Sequence, residues 1–185
     1  MKHVLLAALL VLPPVAYSQA IPFEQGPEVS ITASGSYIYG EPWNNQNHSL
    51  WGGSLTPEIN ITRRIGFQAD FGYYSERIAP EQHRLFMTAG PRYNFPPVHK
   101  VRPFAFAEGG EVRLTWHGTA LRDWDPVIKT GVGFEYHMLR NVSFTMVPAE
   151  YIAHNNDYGG WSHDYTARAG ITVNLYAKPR EKKGQ

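Results

Sequence analysis

From residue 28 onward, apolar and polar side chains alternate with a period of two along most of the chain. Ile65, Phe67, Ala69, Phe71 and Tyr73 share one face, with Gly66, Gln68, Asp70, Gly72 and Tyr74 on the other. Trp51, Leu55, Pro57, Ile59 and Ile61 likewise stand opposite Ser54, Thr56, Glu58 and Asn60, and Ile128, Val132, Phe134 and Tyr136 opposite Lys129, Gly131, Gly133 and Glu135. Near the end, Ala167, Ala169, Ile171, Val173 and Leu175 oppose Thr166, Arg168, Gly170, Thr172 and Asn174. Period two is the signature of a β-strand with different surroundings on its two faces. The pattern predicts eight strands, over 28–39, 49–61, 65–76, 83–95, 101–115, 126–137, 141–153 and 163–176. Each is close to the roughly ten residues that a tilted strand needs to cross a bilayer.

The connections alternate too. Segments 62–64, 96–100 and 138–140 are short turns, whereas 40–48, 77–82, 116–125 and 154–162 are generally longer and more polar. Short turns on one rim and long loops on the other suit an eight-stranded antiparallel transmembrane barrel, an up-and-down meander with both termini on the short-turn side.

The polar face decides between a membrane barrel and a soluble one. It carries Glu58, Asp70, Arg92, Glu108, Lys129, Glu135, Glu150 and Arg168. Charges are tolerated only in water or when paired. In a lipocalin-like soluble barrel they would lie outside; in a membrane barrel they fill the lumen as a polar network, with glycines relieving the crowding. Aromatic residues cluster at strand ends, as interfacial belts require. Phe104 and Phe106 are the candidates for rings on the inner face.

The N-terminus favours the membrane reading. Lys2 and His3 precede an apolar run from Val4 to Leu12, which Pro13-Pro14 ends; Ala16-Tyr17-Ser18 offers a cleavage site before Gln19. The run is too short for a membrane-spanning helix and reads as a signal peptide over 1–18. A lead-in over 19–27, the barrel over 28–176 and a short basic tail over 177–185 complete the expected organisation, with the tail in the periplasm.

Composition removes several classes. There is no cysteine among the 185 residues, so no disulfide, thiolate metal site or lipid-anchored cysteine is available. A net charge of +1 gives no electrostatic case for nucleic acid. No phosphate-binding loop or cofactor motif occurs, so no cofactor is expected. His48, His83, His117, His154 and His163 fall near the long-loop rim without ligand spacing and read as solvated loop histidines.

The stretch 28–176 resembles the small bacterial outer-membrane barrels related to the N-terminal barrel of outer-membrane protein A. The resemblance lies in Ala89-Gly90-Pro91-Arg92-Tyr93, in Arg102-Pro103-Phe104-Ala105-Phe106-Ala107-Glu108-Gly109-Gly110, in Gly131-Val132-Gly133-Phe134-Glu135 and in the closing strand. It implies a place in the outer membrane of a Gram-negative bacterium, among lipid and lipopolysaccharide, insertion by the barrel assembly machinery, and in most members no enzymatic activity. Arg168, Gly170, Val173, Leu175 and Tyr176 match the family's assembly signal, except that the chain continues beyond the aromatic. The peptidoglycan-gripping domain of some members is not expected here.

Two function classes survive. The first is a non-enzymatic barrel with a structural role or a surface-binding role through its loops, where Trp43, Trp124 and Trp161 are the candidate contacts. The second is a lipid A-modifying barrel. The chain resembles the deacylase barrels at His154-Asn155-Asn156-Asp157, but Asn156 stands where their nucleophilic hydroxyl falls. Ser162-His163-Asp164 cannot act as a relay, because neighbouring strand residues face opposite ways. A pore is the weakest class, since eight strands leave an interior that side chains can fill.

Overall fold

The computed structural model describes residues 28–40, 49–76, 82–116, 119–139, 141–156 and 160–176. The strands are β1 (Glu28–Gly40), β2 (Ser49–Asn60), β3 (Ile65–Glu76), β4 (Gln82–Asn94), β5 (Val101–Trp116), β6 (Thr119–His137), β7 (Val142–Asn156) and β8 (Gly160–Tyr176). Each pairs antiparallel with its sequence neighbour, and β1 pairs with β8, so the sheet closes into a barrel with no free edge.

The ladder skips where the sequence supplies proline. The β2–β3 pairing lapses between Leu55 and Glu58 around Pro57 and resumes in the same register. The β4–β5 pairing likewise lapses between Ala89 and Arg92 around Pro91 without a change of register, whereas the β7–β8 register shifts between Val147 and Glu150 around Pro148. A proline has no N–H to give to a ladder, so it settles where pairing is already broken.

Three boundaries differ from the sequence expectation. β6 begins at Thr119 rather than near 126, β7 runs to Asn156, and β8 begins at Gly160 rather than near 163. Trp116 pairs with Thr119 and Asn156 with Gly160, so most of 116–125 and 154–162 is strand and not loop. The reason is physical. Alternation marks a strand only while one face meets lipid; beyond the apolar belt both faces can be polar, yet the backbone ladder continues.

The barrel is inverted relative to a water-soluble protein. Leu55, Phe67, Phe71, Ile128, Val132, Ile171 and Val173 point outward with 42–53% of their surface exposed. The side chains facing the lumen include Glu58, Gln68, Asp70, Lys129 and Glu135, none more than 3% exposed. Such an apolar outer wall belongs in hydrocarbon rather than water.

Candidate functional site

Chain direction stacks the lumen into tiers. β3, β5 and β7 run from the short turns toward the long connections, and β4, β6 and β8 run back. The inward residues of β5 therefore rise in the order Arg102, Phe104, Phe106, Glu108, Val112 and Leu114, and those of β4 descend from Arg84 through Phe86 and Thr88 to Arg92 and Asn94.

The tier nearest the short turns is centred on Arg92. Its guanidinium donates to Glu58 at 2.7 Å and to Glu135, and its Nε donates to Asn94 at 2.9 Å. Arg102 pairs with Glu135 and reaches Glu28 at 3.3 Å. Asn94 donates to Asn60, and Asn60 to Glu58. The Phe104 ring stacks against the Arg92 guanidinium, its centroid 3.6 Å from the guanidinium carbon.

The middle tier is centred on Lys129, which is fully buried. Its ammonium pairs with Asp70, lies 3.2 Å from Glu150 and 3.8 Å from Glu108. Arg168 bridges Asp70 at 2.9 Å and Glu150 at 3.2 Å. Gln68 and Thr88 donate to the two Glu108 oxygens, and Thr56 donates to Asp70. Charges so deep are costly unless paired, and here three acids surround two bases. A cavity of about 20 Å³ between the two tiers, lined by Arg92, Phe104 and Arg168 among others, leaves room for about one water.

Above the charges sits an apolar collar of Ile38, Leu50, Tyr74, Phe86, Val112, Leu114, Val127 and Ile152, none more than 7% exposed. Tyr74 and Phe86 meet edge to face at 5.4 Å. Among the described residues, the collar and the ion pairs thus line successive levels of the lumen with buried side chains. Higher still, Arg84 pairs with Asp164, and His154 Nε2 lies 3.4 Å from the same carboxylate.

All eight lumen residues read from the sequence therefore meet inside the barrel, in two groups rather than one. Arg102, Arg84, His154 and Asp164 join them and were missed. Arg102 shares the parity of Glu108 along β5, a signal that was present in the sequence. His154 was hidden because its segment was read as loop, whereas Asp164 lies within the expected last strand and shares the parity of Thr166 and Arg168, a signal that was present in the sequence.

The histidine expectation needs correction. His154 is 3% exposed inside the barrel, not in a solvated loop. His83 and His163 are on strands as well, stacked on Tyr73 and Tyr151 with ring centroids 5.7 Å apart in both pairs. His48 and His117 lie outside the described residues. The His154 ring is committed at both nitrogens, Nε2 toward Asp164 and Arg84 and Nδ1 at 3.2 Å from the Asn155 carbonyl. His163 faces outward and Asp164 inward, so Ser162, His163 and Asp164 do not converge.

Among the candidate contacts, Trp124 and Trp161 stand on β6 and β8, outward and 40% and 49% exposed, so they belong to the strand wall rather than to loops. Trp43 lies outside the described residues. In the terminal segment, Arg168 is consumed by the middle tier, while Val173 and Leu175 face outward. The Tyr176 backbone pairs with Val29, closing the barrel. A Cβ on Gly170 would meet the Ala33 carbonyl oxygen at 2.3 Å, so that glycine is also required by the β1–β8 seam.

No family model and no curated protein matches the sequence. Solved structures do match. Neisserial surface protein A aligns with a TM-score of 0.70 at 15% identity, covering 82% of this chain and all of the other. The N-terminal barrel of Pseudomonas aeruginosa OprF aligns at 0.58 with 17% identity, covering 82% of this chain and all of that domain. The outer membrane enzyme PagL aligns at 0.52 with 14% identity, covering 78% of this chain and 98% of that one. The chain thus has the fold of the small eight-stranded outer-membrane barrels, a fold that hosts an enzyme as well as other proteins.

Proposed function

We propose that this protein is a sealed, non-enzymatic barrel of the bacterial outer membrane, with both termini in the periplasm. It stiffens the membrane and offers its long-loop rim to a surface partner, with Trp124 and Trp161, and Trp43 in the sequence between β1 and β2, as contact points. The carrying observation is the inversion of the barrel: an apolar outer wall around an ion-paired, filled lumen. A lumen blocked by Lys129, Arg168 and the apolar collar gives ions no continuous path.

An enzymatic reading, of which lipid A modification is the form considered from the sequence, draws support only from the likeness of fold to the outer membrane enzyme PagL. It is opposed by the position of His154, buried in the lumen with both nitrogens engaged, away from the wall where acyl chains would lie. The test is the mass of lipid A from cells that overproduce the protein. An unchanged spectrum is expected. Deacylated lipid A that disappears in the His154→Ala variant would establish the enzyme instead.

A further inference from the structure

The three short turns form one stitched lip. The Asn94 amide at the end of β4 donates to the Arg64 carbonyl in the β2–β3 turn at 2.7 Å. His137 donates in the same way to Lys100 at 2.9 Å, and Asn174 to Asn141 at 2.9 Å. Each turn is thereby tied to a strand beyond its own hairpin, so the side chains it carries project from a fixed frame.

That frame carries one sign of charge. Arg63, Arg64, His99 and Lys100 are exposed, and segments 61–64, 95–100 and 138–141 contain no acid. The sequence adds Arg140 to the third turn, outside the described residues. In the adjoining tier Glu28 and Glu135 are engaged by Arg102, and Glu58 by Arg92. The opposite connections differ: Glu41, Glu81 and Asp157 there outnumber the one base, Arg77.

The same turns expose apolar side chains beside the cations. Ile61 and Ile65 flank Arg63-Arg64, Val98 adjoins His99-Lys100, and Leu139, 69% exposed, tips the third turn. We propose that this lip is a docking surface for anionic phospholipid headgroups of the phosphatidylglycerol type, in the leaflet that surrounds the short turns. The proposal rests on the membrane reading above. Apolar tips enter the acyl boundary while arginine and lysine reach up to phosphate, as amphipathic interfacial segments do. A surface for a water-borne acidic polymer would gain nothing from Leu139, Val98 and Ile61, and the lip is continuous with the lipid-facing rings of Tyr93, Phe95 and Tyr136.

The test compares the wild-type chain with an Arg63→Gln, Arg64→Gln, Lys100→Gln variant, each reconstituted in vesicles of mixed phosphatidylcholine and phosphatidylglycerol. Lipid carried on the protein is weighed by native mass spectrometry after extraction. The wild type should hold phosphatidylglycerol above its bulk fraction, and the excess should fall in high salt. The variant should lose preference by about fivefold per cation removed, since each cation near an anionic surface contributes on the order of that factor. Equal lipid ratios for the two proteins, or a wild-type ratio equal to bulk and insensitive to salt, would overturn the proposal. So would binding to peptidoglycan sacculi in detergent without any phosphatidylglycerol excess. If the variant fails to assemble, the wild-type ratio and its salt dependence decide alone. Gel migration of unboiled and boiled wild type separates the two claims: identical migration means that the barrel itself is wrong, a shift with no lipid preference that only the lip is.

Discussion

Lys129 is the residue on which the interior turns. It faces Asp70, Glu108 and Glu150 with no access to water, so its removal strands three carboxylates around one remaining base, Arg168. Breaking a buried pair from one side costs about 3–5 kcal/mol. Lys129→Met should lower unfolding stability in vesicles by about that amount, and Lys129→Met with Asp70→Asn should regain part of it. Equal stability of Lys129→Met and wild type would mean that the tier is hydrated. Glycines give a second, sharper contrast. A Cβ on Gly110 would meet the Met87 carbonyl oxygen at 2.0 Å, whereas one on Gly109 meets nothing within 4 Å. Gly110→Ala should therefore impair assembly and Gly109→Ala should not, as read from the fraction that migrates as a compact barrel.

At the scale of elements, the tallest hairpin is β5–β6. Thr119, Ala120, Trp124 and Asp125 pair with β5, so deleting 119–125 removes ladder bonds and not slack alone. The deletion should reduce the assembled fraction, while Trp124→Ala, which removes only an outward ring, should leave assembly intact and weaken any surface contact. The smallest hairpin sits opposite. Val98 and Val101 exchange both amide bonds around His99-Lys100, and His99 takes a φ of 57°. That left-handed backbone suits glycine and tolerates histidine better than a β-branched residue. His99→Gly should be neutral or stabilising and His99→Val destabilising by about 1–2 kcal/mol in urea titration.

These elements also show what was legible in the chain. Where lipid lies on one side and the lumen on the other, as from Ile65 to Tyr74, parity alone placed every side chain. It stopped at Thr119 and Gly160, where strands rise past the apolar belt and alternation no longer carries information. The lumen network was half legible for the same reason. Parity finds which residues face inward, but which acid meets which base depends on the stagger between strands. That stagger brings Lys129 of β6 to Asp70 of β3 and divides eight expected residues into two groups around Arg92 and Lys129.

For the whole molecule, closure of the sheet removes free edges, and in the proposed sealed barrel the filled lumen leaves ions no path. Planar-bilayer recordings should show only small, rare events; steady conductance would mean that the collar opens. The central claim is that the wall faces lipid and the lumen is sealed. The chain has no cysteine, so a single introduced thiol is a unique reporter. The deciding measurement is quenching by brominated lipid of a fluorophore placed in turn at Ser54, Leu55, Gln68, Phe71, Ile128, Ile171 and Thr172. Strong quenching at Leu55, Phe71, Ile128 and Ile171, and weak quenching at Ser54, Gln68 and Thr172, is the predicted result. Quenching of the second group, or water-like emission from the first, would contradict the account.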